Sequence, residues 1–251
     1  MIPLTQEQIL SQSMVEAALP VLTTPPRRER LGDFDAACSS LANIAVESIF
    51  DMNTSRAIDH QLIVPMGIYA TRSALRSLAK QDTVDHSTAI ETSDELQDLC
   101  SFLKNKKQTY HCSGTSLGFF AELGMANMMW RGIAEGEIDL QYCVMTGTQG
   151  YERRHDGLRG DVDLVLRTAR SGKNARKRVQ IKASMKRQHE VYDDGIVVVT
   201  SQGVTNTRSP QEAVSQLINW KNQPETIKHA TYDRLSSQLG LRWSERQRAS
   251  A

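Results

Sequence analysis

Apolar and polar residues alternate strictly in two neighbouring stretches of the chain. In residues 160–167, Val162, Leu164 and Leu166 take one face, and Asp161, Asp163 and Arg167 the other. In residues 178–184, Val179, Ile181 and Ala183 share a face opposite Gln180, Lys182 and Ser184. A period of two predicts two half-buried β-strands. The polar segment between them contains Ser171-Gly172 and predicts a hairpin. Residues 138–145 predict a further strand, with 147–159 a polar loop after it. The continuous apolar run Ile196-Val197-Val198-Val199 predicts a buried central strand.

Helical spacing governs most of the rest. Residues 117–130 form an apolar helix with one acid, Glu122, in its middle, led in by Ser113-Gly114-Thr115-Ser116. Ser209-Pro210-Gln211-Glu212 opens a helix with a cap, a proline at its first position and a boxed glutamate, and Ala213, Leu217 and Trp220 mark its buried face. Further upstream, Thr5-Gln6-Glu7-Gln8 and Thr92-Ser93-Asp94-Glu95 fit capping boxes. Residues 33–50 and 71–80 carry apolar bands, 61–69 is ambiguous because of Pro65 and Gly67, and 232–241 fits one amphipathic helix. The expected organisation is a mostly helical N-terminal region at 1–110, serving recognition, dimerisation or as a structural cap. A core at 111–223 and a C-terminal helix with a basic tail at 224–251 follow. From residue 113 to 223 the order helix, four strands, helix predicts an α/β fold with a mixed sheet flanked by helices.

A chain of 251 residues with net charge +1 buries a full core and announces no partner by its global field. The charge is unevenly placed. Residues 1–110 carry 10 Lys/Arg against 14 Asp/Glu, whereas 151–190 carry 12 against 5, a net of +7. The excess surrounds the two alternating strands. Cys38, Cys100, Cys112 and Cys143 are widely spaced with no CxxC pair, which argues against a zinc site or disulfide framework and for reduced thiols in the cytoplasm. The first residues lack the basic and apolar regions of a signal peptide, and no apolar run is long enough to cross a membrane.

If the two strands pair, Asp161, Asp163, Gln180, Lys182 and Ser184 gather on one edge of a sheet. Hard oxygen donors next to a lysine suit a hydrolytic site built on Mg²⁺, with Mn²⁺ as a substitute, because such an ion offsets developing charge and acidifies water. Asp163 supplies a formal charge as ligand, and Asp161 shares its face, either hydrogen-bonded behind the ligands or as an alternative ligand. Gln180 offers a neutral amide oxygen, so the metal is held more weakly than by two carboxylates. Lys182 is placed to orient water or neutralise charge. Taken singly, each residue is more simply an exposed polar strand position. Arg167, Arg170, Lys173, Arg176, Lys177, Arg178, Lys186 and Arg187 flank the site and suit phosphates. Hairpin charge runs are usually just solvated, and phosphate contacts carry no base readout. His155 and Asp156, in the preceding loop, are candidate substrate contacts, and Ser184 a hydrogen bonder beside the site.

Gly160-Asp161-Val162-Asp163-Leu164-Val165, followed by Val179-Gln180-Ile181-Lys182, resembles the core signature of the PD-(D/E)xK nuclease superfamily. The likeness is to restriction-endonuclease-like members, including Mrr-like enzymes, in which Gln replaces the second acid to give QxK. It spans roughly residues 113–223 and includes an αβββαβ-type element order. The resemblance implies a Mg²⁺-dependent DNA endonuclease with Asp163, Gln180, Lys182 and Glu122 as catalytic residues. Asp163, Gln180 and Glu122 would be the metal ligands, Glu122 matching the acid that many members present from the preceding helix. It further implies a role in restriction, defence or mobile elements, and a homodimer where both strands are cut. The rival expectation is a catalytically silent nuclease fold that binds nucleic acid or assembles with partners. A third is an RNA-directed nuclease.

Overall fold

A computed structural model of the protein describes residues 28–42, 63–81, 83–105, 115–145, 162–168, 176–187 and 195–240. The predicted helix near residue 5, the segments 43–50 and 147–159, and the basic tail lie outside the described residues. The architecture is α/β, mostly helical, with one four-stranded mixed sheet flanked by helices.

After a 3-10 turn at Arg28–Arg30 come α1 (Leu31–Ala42), α2 (Ile63–Ala70), α3 (Arg72–Gln81), α4 (His86–Asn105) and α5 (Thr115–Glu135). The sheet strands are β1 (Leu140–Met145), β2 (Leu164–Thr168), β3 (Arg176–Lys182) and β4 (Ile196–Thr200). A 3-10 turn at Met185–Arg187 follows β3. After β4 come α6 (Ser201–Thr205), α7 (Pro210–Ile218), a 3-10 turn at Trp220–Asn222 and α8 (Glu225–Leu239).

α5 is the pivot. Every residue from 120 to 130 is buried, as an all-round apolar helix requires. It packs against α2, α4 and α7 as well as β1 and β3. Polar links fasten these contacts: Asn127 donates to Gln97 Oε1 of α4 at 3.2 Å and to the Leu217 carbonyl of α7 at 3.3 Å. Trp220 Nε1 donates to the Tyr232 hydroxyl at 2.9 Å, and that hydroxyl donates to the Met128 carbonyl at 3.2 Å, tying α8 to α5. One hydrophobic cluster runs from Phe34 of α1 to Leu239 of α8. Cys38, Cys100 and Cys143 are buried free thiols within it. No described helix is long and apolar enough to cross a membrane.

The sheet runs β1-β2-β3-β4. β1 and β2 are antiparallel, with Met145 opposite Leu164. β2 and β3 are antiparallel, from Leu164 opposite Val179 to Arg167 opposite Arg176. β3 and β4 are parallel, setting Gln180 beside Val198 and Lys182 beside Thr200. The predicted alternation reappears in β2, where Leu164, Leu166 and Thr168 are buried and Val165 and Arg167 are half-exposed.

Three sequence expectations change. The apolar run 196–199 is an edge strand of the described sheet rather than a central one, and α8 packs against it. Thr92-Ser93-Asp94-Glu95 does not start a helix but lies in the middle of α4, with Thr92 and Ser93 buried. The actual start is Asp85, whose carboxylate accepts from the Thr88 N–H at 2.9 Å and from the Ser87 and Thr88 hydroxyls at 2.6 and 2.9 Å. The ambiguous stretch resolves as α2, because Pro65 falls in its first turn, where no intrahelical N–H is needed. By contrast, Ser209 caps α7 as expected, accepting from the Glu212 N–H at 3.2 Å.

Two expected outcomes follow from this packing. An ideal Cβ on Gly124 would stand 2.8 Å from Leu217 Cβ and 3.5 Å from the α7 backbone. Overpacking there costs about 1–3 kcal/mol against a helix-propensity gain of about 1 kcal/mol, so Gly124→Ala should lower stability in urea unfolding. The hydroxyl and amide donors hold the Asp85 carboxyl down to about 2, below its ordinary 3.8. Its capping stabilisation is therefore complete above pH ~4 and is lost as pH falls through ~2, and an NMR titration of Asp85 checks the midpoint.

Candidate active site on strands β2 and β3

Asp163 sits just before β2 and is 5% exposed. Its N–H donates to the Val179 carbonyl at 2.9 Å, and its Oδ2 accepts from the Ile181 N–H at 2.6 Å. These two bonds go to the residues on either side of Gln180, so Asp163 brackets Gln180 on the facing strand. The second is a charge-assisted hydrogen bond that replaces a ladder bond where the β2–β3 pairing ends. An aspartate is almost never buried without such partners.

Gln180 is 3% exposed, and its Oε1 is buried with no hydrogen-bond partner among the described residues. An amide oxygen left this way costs about 1–3 kcal/mol. A water or a hard cation would satisfy it, and the adjacent Asp163 carboxylate makes the cation the better match. The donor set of carboxylate and amide oxygens thus fits Mg²⁺ or Mn²⁺. Lys182 ends β3 on the same face as Gln180 by strand alternation, half-buried and beside Thr200 of β4.

Glu122 is 6% exposed in the middle of α5. Helical periodicity puts it on the side away from Gly124, Asn127 and Arg131, the positions that meet α7 and α4. β1, β3 and α2 also pack on α5. Among the described residues, no three His, Cys, Asp or Glu side chains gather at metal-binding range. The ligand set read from sequence therefore depends on the Gln180 amide as well as the two carboxylates.

The basic flank divides. Lys177 donates to the Leu239 carbonyl at the end of α8, and Arg176 Nε donates to the Tyr142 hydroxyl at 3.4 Å. Lys177 is thus a helix C-terminal cap, not a free surface cation. Arg167 is half-buried in β2, and Arg178 in β3, while Lys186 is exposed in the turn after β3. Ser184 Oγ accepts the Lys186 N–H at 3.2 Å and closes that turn. Arg187 belongs to the same turn, with its side chain outside the described residues. Asp161, His155, Asp156, Arg170 and Lys173 also lie outside them.

Sequence reasoning passed over the end of β4. Parallel pairing brings Thr200, Ser201 and Gln202 to the same end of the sheet as Lys182, and Gln202 donates its backbone N–H to the Ala183 carbonyl at 3.3 Å. A hydroxyl-amide cluster directly after an apolar run was the only available signal.

If Gln180 Oε1 awaits a cation, Gln180→Leu should unfold in metal-free buffer at equal or higher denaturant than wild type, since it deletes an unsatisfied group. The thermal shift that Mn²⁺ gives the wild type should be lost in Gln180→Leu and Asp163→Ala, read by scanning calorimetry. Comparison of the chain with family models, curated proteins and solved structures returned no match to any of them.

Proposed function

We propose that the protein is a metal-dependent endonuclease that hydrolyses phosphodiester bonds in DNA. The observation that carries this reading is the buried Asp163–Gln180 pair across β2 and β3, with an unsatisfied amide oxygen and Lys182 next on the same face. Supporting it, a long helix precedes strands paired antiparallel, antiparallel and parallel in one mixed sheet, the coarse α/β class to which an αβββαβ order would belong. The helix of that order between the third and fourth strands would fall on 183–195, where the described residues hold one 3-10 turn.

Asp163 and the Gln180 amide, with Glu122 from α5, would hold Mg²⁺. Bound there, the ion supplies positive charge to the phosphate and acidifies water. Asp163 keeps its orientation through the Ile181 N–H. Lys182 orients the attacking water and offsets charge as the phosphorus becomes five-coordinate and the P–O bond to the leaving sugar breaks. Low exposure of Asp163 and Gln180 raises the electrostatic effect of each group by excluding bulk water.

The test is cleavage of plasmid and linear DNA with Mg²⁺ or Mn²⁺. Asp163→Ala and Lys182→Ala should each slow cutting by about 10²–10³-fold, and Gln180→Glu should cut at lower metal concentration. Equal cleavage by wild type and both alanine variants sinks the assignment. Salt-sensitive DNA binding without cleavage or metal uptake would instead mark a silent nuclease fold, and preferential cutting of RNA would change the substrate.

A further inference from the structure

Gln202 uses every polar group it has at one place. Its backbone N–H donates to the Ala183 carbonyl at 3.3 Å, and its Oε1 accepts the Met185 N–H at 3.2 Å. On the other side, Nε2 donates to the Thr207 and Arg208 carbonyls at 3.3 and 3.1 Å, and the Gln202 carbonyl accepts the Thr207 N–H at 3.3 Å. A single amide therefore joins the exit of β3 to the loop that precedes α7. That loop is also held from behind, where Glu212 accepts the Arg208 N–H at 3.0 Å.

The joint sets the charges. Lys182 ends β3, Lys186 follows in the 3-10 turn, and Arg208 lies in the fastened loop, with Lys186 and Arg208 exposed. The Arg208 backbone is fixed at both its N–H and its carbonyl, while its guanidinium stays at the surface. Fixing a backbone this way reduces the ordering cost of a contact made by the side chain. We propose that Gln202 is a positioning residue: it docks the Thr207 and Arg208 loop against the β3 exit so that Arg208, Lys182 and Lys186 form one cationic lip. This lip takes the phosphate backbone of a DNA strand entering the site, an assignment that rests on the nuclease reading above.

The test is fluorescence anisotropy of a short fluorescein-labelled DNA duplex of mixed sequence with the full chain, in EDTA, across a salt series. Arg208→Gln should weaken binding and reduce the slope of log Kd against log salt by about 0.9, the value of one phosphate contact. Gln202→Met should lose the same slope, and the double variant no more than either single one, because Gln202 acts through Arg208. Wild-type binding that Arg208→Gln leaves unchanged in affinity and slope overturns the lip. Additive losses in the double variant overturn the positioning role of Gln202. Absence of any wild-type DNA binding overturns the nuclease reading itself and this inference with it. Arg208 is exposed, so its variant folds and decides the matter even where Gln202→Met does not.

Discussion

Burial of α5 is the constraint on which the rest of the structure depends. A helix apolar on all sides has to be covered on all sides, and α2, α4, α7, β1 and β3 each take a share of it. That coverage explains why the N-terminal helices are continuous with the core of the sheet rather than a separate layer: Leu96, Leu103 and Leu123 are fully buried in one cluster. It also explains the close approach at Gly124, where α7 lies against the helix with no room for a side chain. The sheet is held on this helix through β1 and β3, and so the position of β3 is fixed before any site chemistry is considered.

Against this apolar background the buried polar groups stand out. Trp130 Nε1 and the hydroxyls of Thr92, Ser93 and Ser201 are buried without hydrogen-bond partners among the described residues, and each costs stability. The Gln180 amide oxygen differs from them in its neighbour, a buried carboxylate held in place by the Ile181 N–H. A stability-optimised strand would carry apolar residues at 163 and 180. Groups retained there at a cost fit a site whose charge and lone pairs are meant for something that binds. The same end of the sheet gathers Lys182, Thr200 and Gln202 because β3 and β4 run parallel, so their C-terminal ends open on one side.

Local patterns were legible and long-range ones were not. The alternation in 160–167 and 178–184 foretold β2 and β3, because period two is a property of the strand itself, and the short polar segment between them foretold their antiparallel pairing. The four-stranded mixed sheet flanked by helices was also foreseen in outline, whereas the sequence left the pairing partner of β4 open. Its apolar run read as central, yet the strand is an edge of the described sheet with α8 packed against it, and nothing local distinguishes the two. The capping-box pattern at 92–95 misled because the same residue types are tolerated mid-helix when buried, while the true cap, Asp85, lacks a glutamate at the third helical position. Within the site, the bracketing of Gln180 by Asp163 follows from residue spacing once the hairpin forms. The diversion of Lys177 to the α8 carbonyl does not, since it joins residues far apart in sequence.

A metal centre at the β2–β3 junction is the central claim, and its most direct measurement is anomalous scattering from crystals grown with Mn²⁺. One peak is expected within about 2.0–2.4 Å of an Asp163 carboxylate oxygen and Gln180 Oε1. A peak elsewhere, or a water hydrogen-bonded to Gln180 with no metal beside Asp163 at saturating Mn²⁺, would contradict it.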